Sequence, residues 1–123
     1  MKPKKVLVVD DSKLLHKIFD LMLRNCTVVH AGDGVDGLEK LAKAENADVD
    51  LILLDMNMPR MNGLQFLAQI KADKAKAAIP VIVITTEGKE ADAERGIKAG
   101  ASAYLRKPFK NEELLAVIEG LSA

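Results

Sequence analysis

The 123-residue chain has a single cysteine, Cys26, so no internal disulfide can form; this suits a reducing cytoplasm. It has no net charge, because 18 Lys and Arg are offset by 18 Asp and Glu. With a sequence pI near 6.7 and basic residues spread along the chain, it lacks the footprint of a nucleic-acid or anionic-membrane binder. It has no apolar run of membrane-spanning length. The run after Met1-Lys2-Pro3-Lys4-Lys5 is stopped by Asp10 and is too short for a signal-peptide core. It also lacks a GxxxxGK[ST] phosphate loop, and Gly32 and Gly34 make no dinucleotide fingerprint. His16 and His30 lie far apart in the pattern, without Cys or His partners at metal-ligand spacing, and read as surface or half-buried residues. What remains is 49 % apolar, an ordinary globular composition, and of a size for one domain over residues 1–123.

Short β-branched runs alternate with longer helical patterns. Strands are expected at Lys5–Val9, Cys26–Ala31, Leu51–Leu54, Pro80–Ile84 and Ala103–Arg106. Helices are expected at Ser12–Asn25, Val35–Ala44, Leu64–Lys71, Lys89–Ala99 and Asn111–Leu121. The first helix would bury Leu14, Leu15, Ile18, Phe19, Met22 and Leu23; the last, Leu114, Leu115, Val117, Ile118 and Leu121. Gly96 weakens the fourth helix by about 1 kcal/mol relative to Ala. Five consecutive βα units imply an α/β fold, a parallel sheet with helices on both faces. The last helix runs almost to Ala123, so no output domain is expected in the chain.

In such a sheet, ligands bind outside the carboxyl ends of the strands. Those ends carry Asp10-Asp11, Asp55, Thr85-Thr86 and Lys107-Pro108; only the second, at Ala31-Gly32, carries nothing immediately reactive. Three carboxylates in one cleft repel one another. A hard cation such as Mg²⁺, which takes oxygen ligands and keeps several waters, relieves that repulsion. A backbone carbonyl just after Asp55 could supply a further oxygen. With the metal in place, one carboxylate could accept a phosphoryl group. The lysine would then neutralise its oxygens and the hydroxyl would donate a hydrogen bond.

The chain resembles a bacterial response-regulator receiver domain of the single-domain chemotaxis type, over essentially its whole length. The resemblance rests on four segments in order. They are Val6-Leu7-Val8-Val9-Asp10-Asp11-Ser12; Leu53-Leu54-Asp55-Met56-Asn57-Met58-Pro59 with Gly63; Val83-Ile84-Thr85; and Ala99-Gly100-Ala101 followed by Tyr104 and Lys107-Pro108-Phe109. It implies a flavodoxin-like, doubly wound sheet of five parallel strands in the order 2-1-3-4-5. It further implies that Asp55 is the phosphoacceptor, and that Asp10, Asp11, Asp55 and the backbone carbonyl of Asn57 hold Mg²⁺. Thr85 would be drawn toward the phosphoryl group. Lys107 would pair with Asp55 and then with the phosphate, and Tyr104 would change rotamer with Thr85. A cis peptide is expected before Pro108. Asn57 and Glu87 would tune how fast the phosphate is lost. The implied partners are a histidine kinase or phosphotransfer protein and a downstream effector protein, met in the cytoplasm with no membrane or direct nucleic-acid contact. Two departures from relatives stand out. Thr86 replaces a common Ala and could narrow access to the site. Ala101-Ser102 replaces acidic residues of dimerising relatives, which favours a monomer or weak dimer.

Singly, each feature has a plainer reading. Asp10-Asp11-Ser12 could cap a helix, Asp55 could be a turn residue, Thr85 a β-former and Lys107-Pro108 an exposed strand end. Asp33 reads as a helix cap. Met56, Met58 and Met61 read as a mobile apolar loop or as gap-fillers. The joint occurrence of polar residues at four strand ends on one edge favours the functional reading. The competing enzyme, a haloacid-dehalogenase-like phosphatase, would need a second Asp two positions after Asp55. That position is Asn57, which cannot shuttle protons.

Overall fold

In the computed structural model, which describes residues 1–56, 58, 61–86 and 90–121, every expected strand and helix is present. The strands are β1 (Lys5–Val9), β2 (Thr27–Ala31), β3 (Leu51–Asp55), β4 (Val81–Thr86) and β5 (Ala103–Lys107). The helices are α1 (Lys13–Met22), α2 (Gly34–Ala42), α3 (Gly63–Ala72), α4 (Glu90–Lys98) and α5 (Asn111–Glu119). The strands form one parallel sheet in the order β2-β1-β3-β4-β5. The unbroken apolar runs of β1 and β3 are what a sheet covered on both faces demands. Alternate side chains feed two separate cores. Leu7, Val9, Ile52, Leu54, Val81 and Val83 face α2 and α3, against Phe66, Leu67 and Ile70. Val6, Val8, Leu51, Leu53, Ile82 and Ile84 face α1 and α5, against Phe19, Leu23, Leu114 and Ile118.

The register lines up the carboxyl ends. Val9 pairs with both Ala31 and Leu54, Asp55 with Ile84, and Thr86 with Lys107. The residues singled out at the strand ends therefore share one edge of the sheet.

Some boundaries and faces differ from the sequence pattern. Leu14 is exposed, because it lies roughly 140° round α1 from the buried Phe19. Leu115 is exposed too, beside the buried Leu114 and Ile118 one turn apart. α1 stops at Met22, where Leu23 leaves the helical region and its N–H closes on the Phe19 carbonyl. α2 stops at Ala42 because Lys43 is extended; the chain then makes a short 3-10 turn, and the Asn46 amide donates back to the Lys40 carbonyl at 2.8 Å. Gly96 has a packing reason: a Cβ there would meet Val83 Cγ2 at 2.9 Å, so α4 lies close on β4 only without one.

The N-terminus of α2 is tied by two acids. The Asp33 carboxylate accepts the Asp36 N–H at 2.9 Å, as a helix cap should. Asp36 in turn accepts the Gly32 N–H at 2.9 Å and an ion pair from Lys40 at 3.2 Å. The Gly32 N–H, then Lys40, holds the Asp36 carboxyl below the usual carboxylate range against the opposing effect of burial. A depressed folded-state pKa stabilises the protein above the unfolded value of about 3.9, and that contribution is lost as pH falls through the folded value. Asp36→Asn should therefore lower stability by about 1 kcal/mol at neutral pH. Urea titrations should show the gap from wild type closing as the pH drops below about 4, and a gap that is independent of pH would contradict this origin.

Candidate functional site

Asp55 is the last residue of β3 and is only 6 % exposed. Asp10 and Asp11 follow directly on β1, the neighbouring strand. Asp10 is buried and Asp11 is exposed. Carboxylate oxygens from the three lie within 4.8 Å of one another. This donor set fits a hard, oxygen-seeking divalent cation: all ligands are carboxylates, and the exposed Asp11 leaves the solvent side open to metal-bound water.

Asp10 is the most heavily held of the three. One carboxylate oxygen accepts the Ser12 N–H at 2.8 Å, and the other faces Lys107 Nζ at 3.5 Å. Its N–H donates to the Ala31 carbonyl at 3.1 Å, and its own carbonyl accepts from His16 Nε2 at 2.7 Å. Ser12 also caps α1, its hydroxyl accepting the Leu15 N–H. The cap reading and the site reading of Asp10-Asp11-Ser12 are thus both realised: Ser12 is the cap, and Asp10 is left for the cleft.

Lys107 arrives from β5, the far edge of the sheet. It is followed by a cis peptide to Pro108, as expected, and Phe109 then stacks on Phe19 with ring centroids 5.7 Å apart. The contact anchors the segment after Lys107 to α1. Thr85 is buried inside β4, whereas Thr86 is exposed. Thr85 also borders a cavity of about 560 Å³ shared with Ala93, Ile97, Tyr104 and Arg106. Tyr104 is 53 % exposed at its mouth.

Asp10, Asp11, Asp55 and Lys107 are therefore brought together, with Thr85 on the adjoining strand and Tyr104 behind it. Asn57 and Glu87 lie outside the described residues. The methionines are more ordered in role than a free loop: Met56 is buried, and Met58 and Met61 pack against the core on the α2–α3 side. Cys26 is half-buried just before β2; its thiol donates to the Pro3 carbonyl at 3.2 Å, and burial, then Asp50, pushes its pKa up. Sequence pattern missed one feature. His16 and His30 are not separate: their Nδ1 atoms lie 2.6 Å apart, because α1 packs beside β2. Fourteen residues of separation hid that contact. The signal that could have found it is topological, since α1 follows Asp10 and packs beside β2, which carries His30.

Gly63 fixes how closely α3 approaches the site. A Cβ there would lie 2.6 Å from the Asp55 carbonyl oxygen and 2.7 Å from Met56 Cα. Its N–H donates to the Met56 carbonyl, and the preceding Asn62 closes a capping box with Gln65.

Comparison with known proteins follows the same lines. A family model described as the response regulator receiver domain matches residues 6–119. The chain is 40 % identical over 118 residues to chemotaxis protein CheY1 of Helicobacter pylori, covering 94 % of each. It is similar to the structure of Vibrio cholerae chemotaxis protein CheY4, with a TM-score of 0.83, 33 % identity and coverage of 94 % of this chain and 96 % of that one. It is also similar to a putative response regulator of Chloroflexus aurantiacus, with a TM-score of 0.87, 26 % identity and 95 % of each chain covered.

Because the obstruction at Gly63 is backbone rather than a flexible side chain, Gly63→Ala should destabilise the protein by about 1–3 kcal/mol. The readout is a lower urea midpoint with an unchanged slope. An unchanged midpoint would mean that α3 can withdraw freely from the end of β3.

Proposed function

The chain belongs to the response regulator receiver domain family, signalling switches rather than classical enzymes, and from that premise we propose that Asp55 is its phosphoacceptor. The observation that carries this is the convergence of Asp10, Asp11 and Asp55 within 4.8 Å, with Lys107 reaching into the same cluster. The donor is a histidine kinase or a phosphotransfer protein. An Asp55 carboxylate oxygen forms the bond to phosphorus as the phosphorus–nitrogen bond of the donor's phosphohistidine breaks, and the imidazole leaves.

Asp10, Asp11, Asp55 and the carbonyl of Asn57 would hold Mg²⁺, which when bound offsets the negative charge that gathers on the transferring group. Asp10 and Asp11 bring their charge to one side of Asp55. Lys107, released from Asp10, pairs with the phosphoryl oxygens. Thr85 donates its hydroxyl to another of them. Asn57 and Glu87 set the rate at which water clears the phosphate, so that the site is loaded, read and slowly emptied.

The output follows from the place of Thr85 between the site and the Tyr104 cavity. Movement of Thr85 toward the phosphate opens room for the Tyr104 ring to turn inward. That changes the face made by α4, β5 and α5, where a downstream effector protein binds. The shift is between two populated states, and the phosphoryl group biases them through contacts it makes in only one. The names of the relatives favour chemotaxis as the setting. The cytoplasm is the compartment, and a monomer or weak dimer is the working form.

Two measurements test this reading. Incubation with acetyl phosphate and Mg²⁺ should add one phosphoryl group by intact mass, absent in Asp55→Ala. No adduct on a folded wild-type protein with any donor would overturn it, and turnover of a generic phosphate ester would favour the phosphatase instead. Asp11→Ala should weaken Mg²⁺ binding at least about tenfold, as loss of a charged ligand implies; equal affinity would reject the ligand assignment.

A further inference from the structure

Outside the phosphoryl cleft, His16 on α1 and His30 on β2 meet closely, with Nδ1 atoms 2.6 Å apart and rings set edge to face at 66°. The partners of their other nitrogens decide the tautomers. His16 Nε2 meets the Asp10 backbone carbonyl at 2.7 Å, and a carbonyl only accepts, so Nε2 carries the hydrogen. His30 Nε2 meets an Asp20 carboxylate oxygen at 2.9 Å, so it carries a hydrogen as well. Two neutral rings so arranged turn bare Nδ1 lone pairs toward each other, and two lone pairs at that distance repel. A positive charge between them, a proton or a metal ion, removes that repulsion.

We propose that His16 and His30 form a bis-imidazole site for a divalent transition-metal ion of the zinc, copper and nickel class. Imidazole nitrogen suits these ions and not Mg²⁺, which prefers oxygen, so the site is chemically orthogonal to the acidic cluster. Both ligands already have the outer partners typical of metal-binding histidines: one N–H on a backbone carbonyl, the other on a carboxylate. A tetrahedral metal about 2.0–2.1 Å from each nitrogen sets them about 3.3–3.4 Å apart, so the pair has to open by about 0.7–0.8 Å from its present 2.6 Å. The His30 side chain is 37 % exposed, which gives the ion an entry path and leaves room for water in the other positions.

The test is Zn²⁺ titration of the full chain in a large excess of Mg²⁺, which keeps the acidic cluster occupied. Imidazole ¹⁵N spectra should show both Nδ1 resonances shifting with one equivalent of Zn²⁺ while both Nε2 atoms stay protonated. His30→Gln and His16→Gln should each remove that equivalent, and Asp20→Asn, which changes only the outer partner, should weaken binding about tenfold. If neither Nδ1 responds to Zn²⁺, or if His30→Gln binds as tightly as wild type, the cation between the rings is only a shared proton and the proposal fails. Because His30 lies apart from the Asp55 cleft, acetyl-phosphate loading of His30→Gln tests the two sites separately.

Discussion

Like charges gathered at one edge of a parallel sheet are the constraint around which this protein is arranged. Two unit charges 4 Å apart near a protein surface interact by roughly 4 kcal/mol, and three carboxylates here lie within 4.8 Å of one another. The surroundings hold them there. The Ser12 N–H and Lys107 take up the Asp10 carboxylate, while its backbone is bonded to β2 on one side and to His16 on the other. Two apolar cores, one on each face of the sheet, keep the strands in the register that aligns these ends. A cluster of like charges that only a cation relieves, and that a transferred phosphoryl group loads further, is well suited to being a switch.

Much of this was legible in the sequence. The βα alternation located the five strands and five α-helices of the described residues, because apolar runs buried on both faces leave a strong pattern. The polar residues at the strand ends followed from where runs such as Leu51–Leu54 stop. The strand order did not follow from pattern; it came from resemblance, and the sheet has it. Faces were less secure at helix ends. Leu14 and Leu115 are apolar yet turned to solvent, and only packing decides which of two adjacent leucines is inside. The meeting of His16 with His30 depends on how α1 lies against β2, which no local spacing encodes.

Glycine is where the site and the fold touch most tightly. Gly63 lets α3 begin directly against the backbone of Asp55, and Gly96 lets α4 settle on β4 beneath Thr85. Both are close-approach positions, not turns. Gly100, with φ of 111°, is the contrasting case: there a left-handed conformation ends α4 and sends the chain into β5.

The chain has no tryptophan and one tyrosine, and that tyrosine is Tyr104, half in water at the mouth of the cavity behind Thr85. Nearly all of its near-ultraviolet emission therefore comes from a single ring on the face proposed for the effector. The protein carries its own optical probe there, with no label to attach and no background chromophore to subtract.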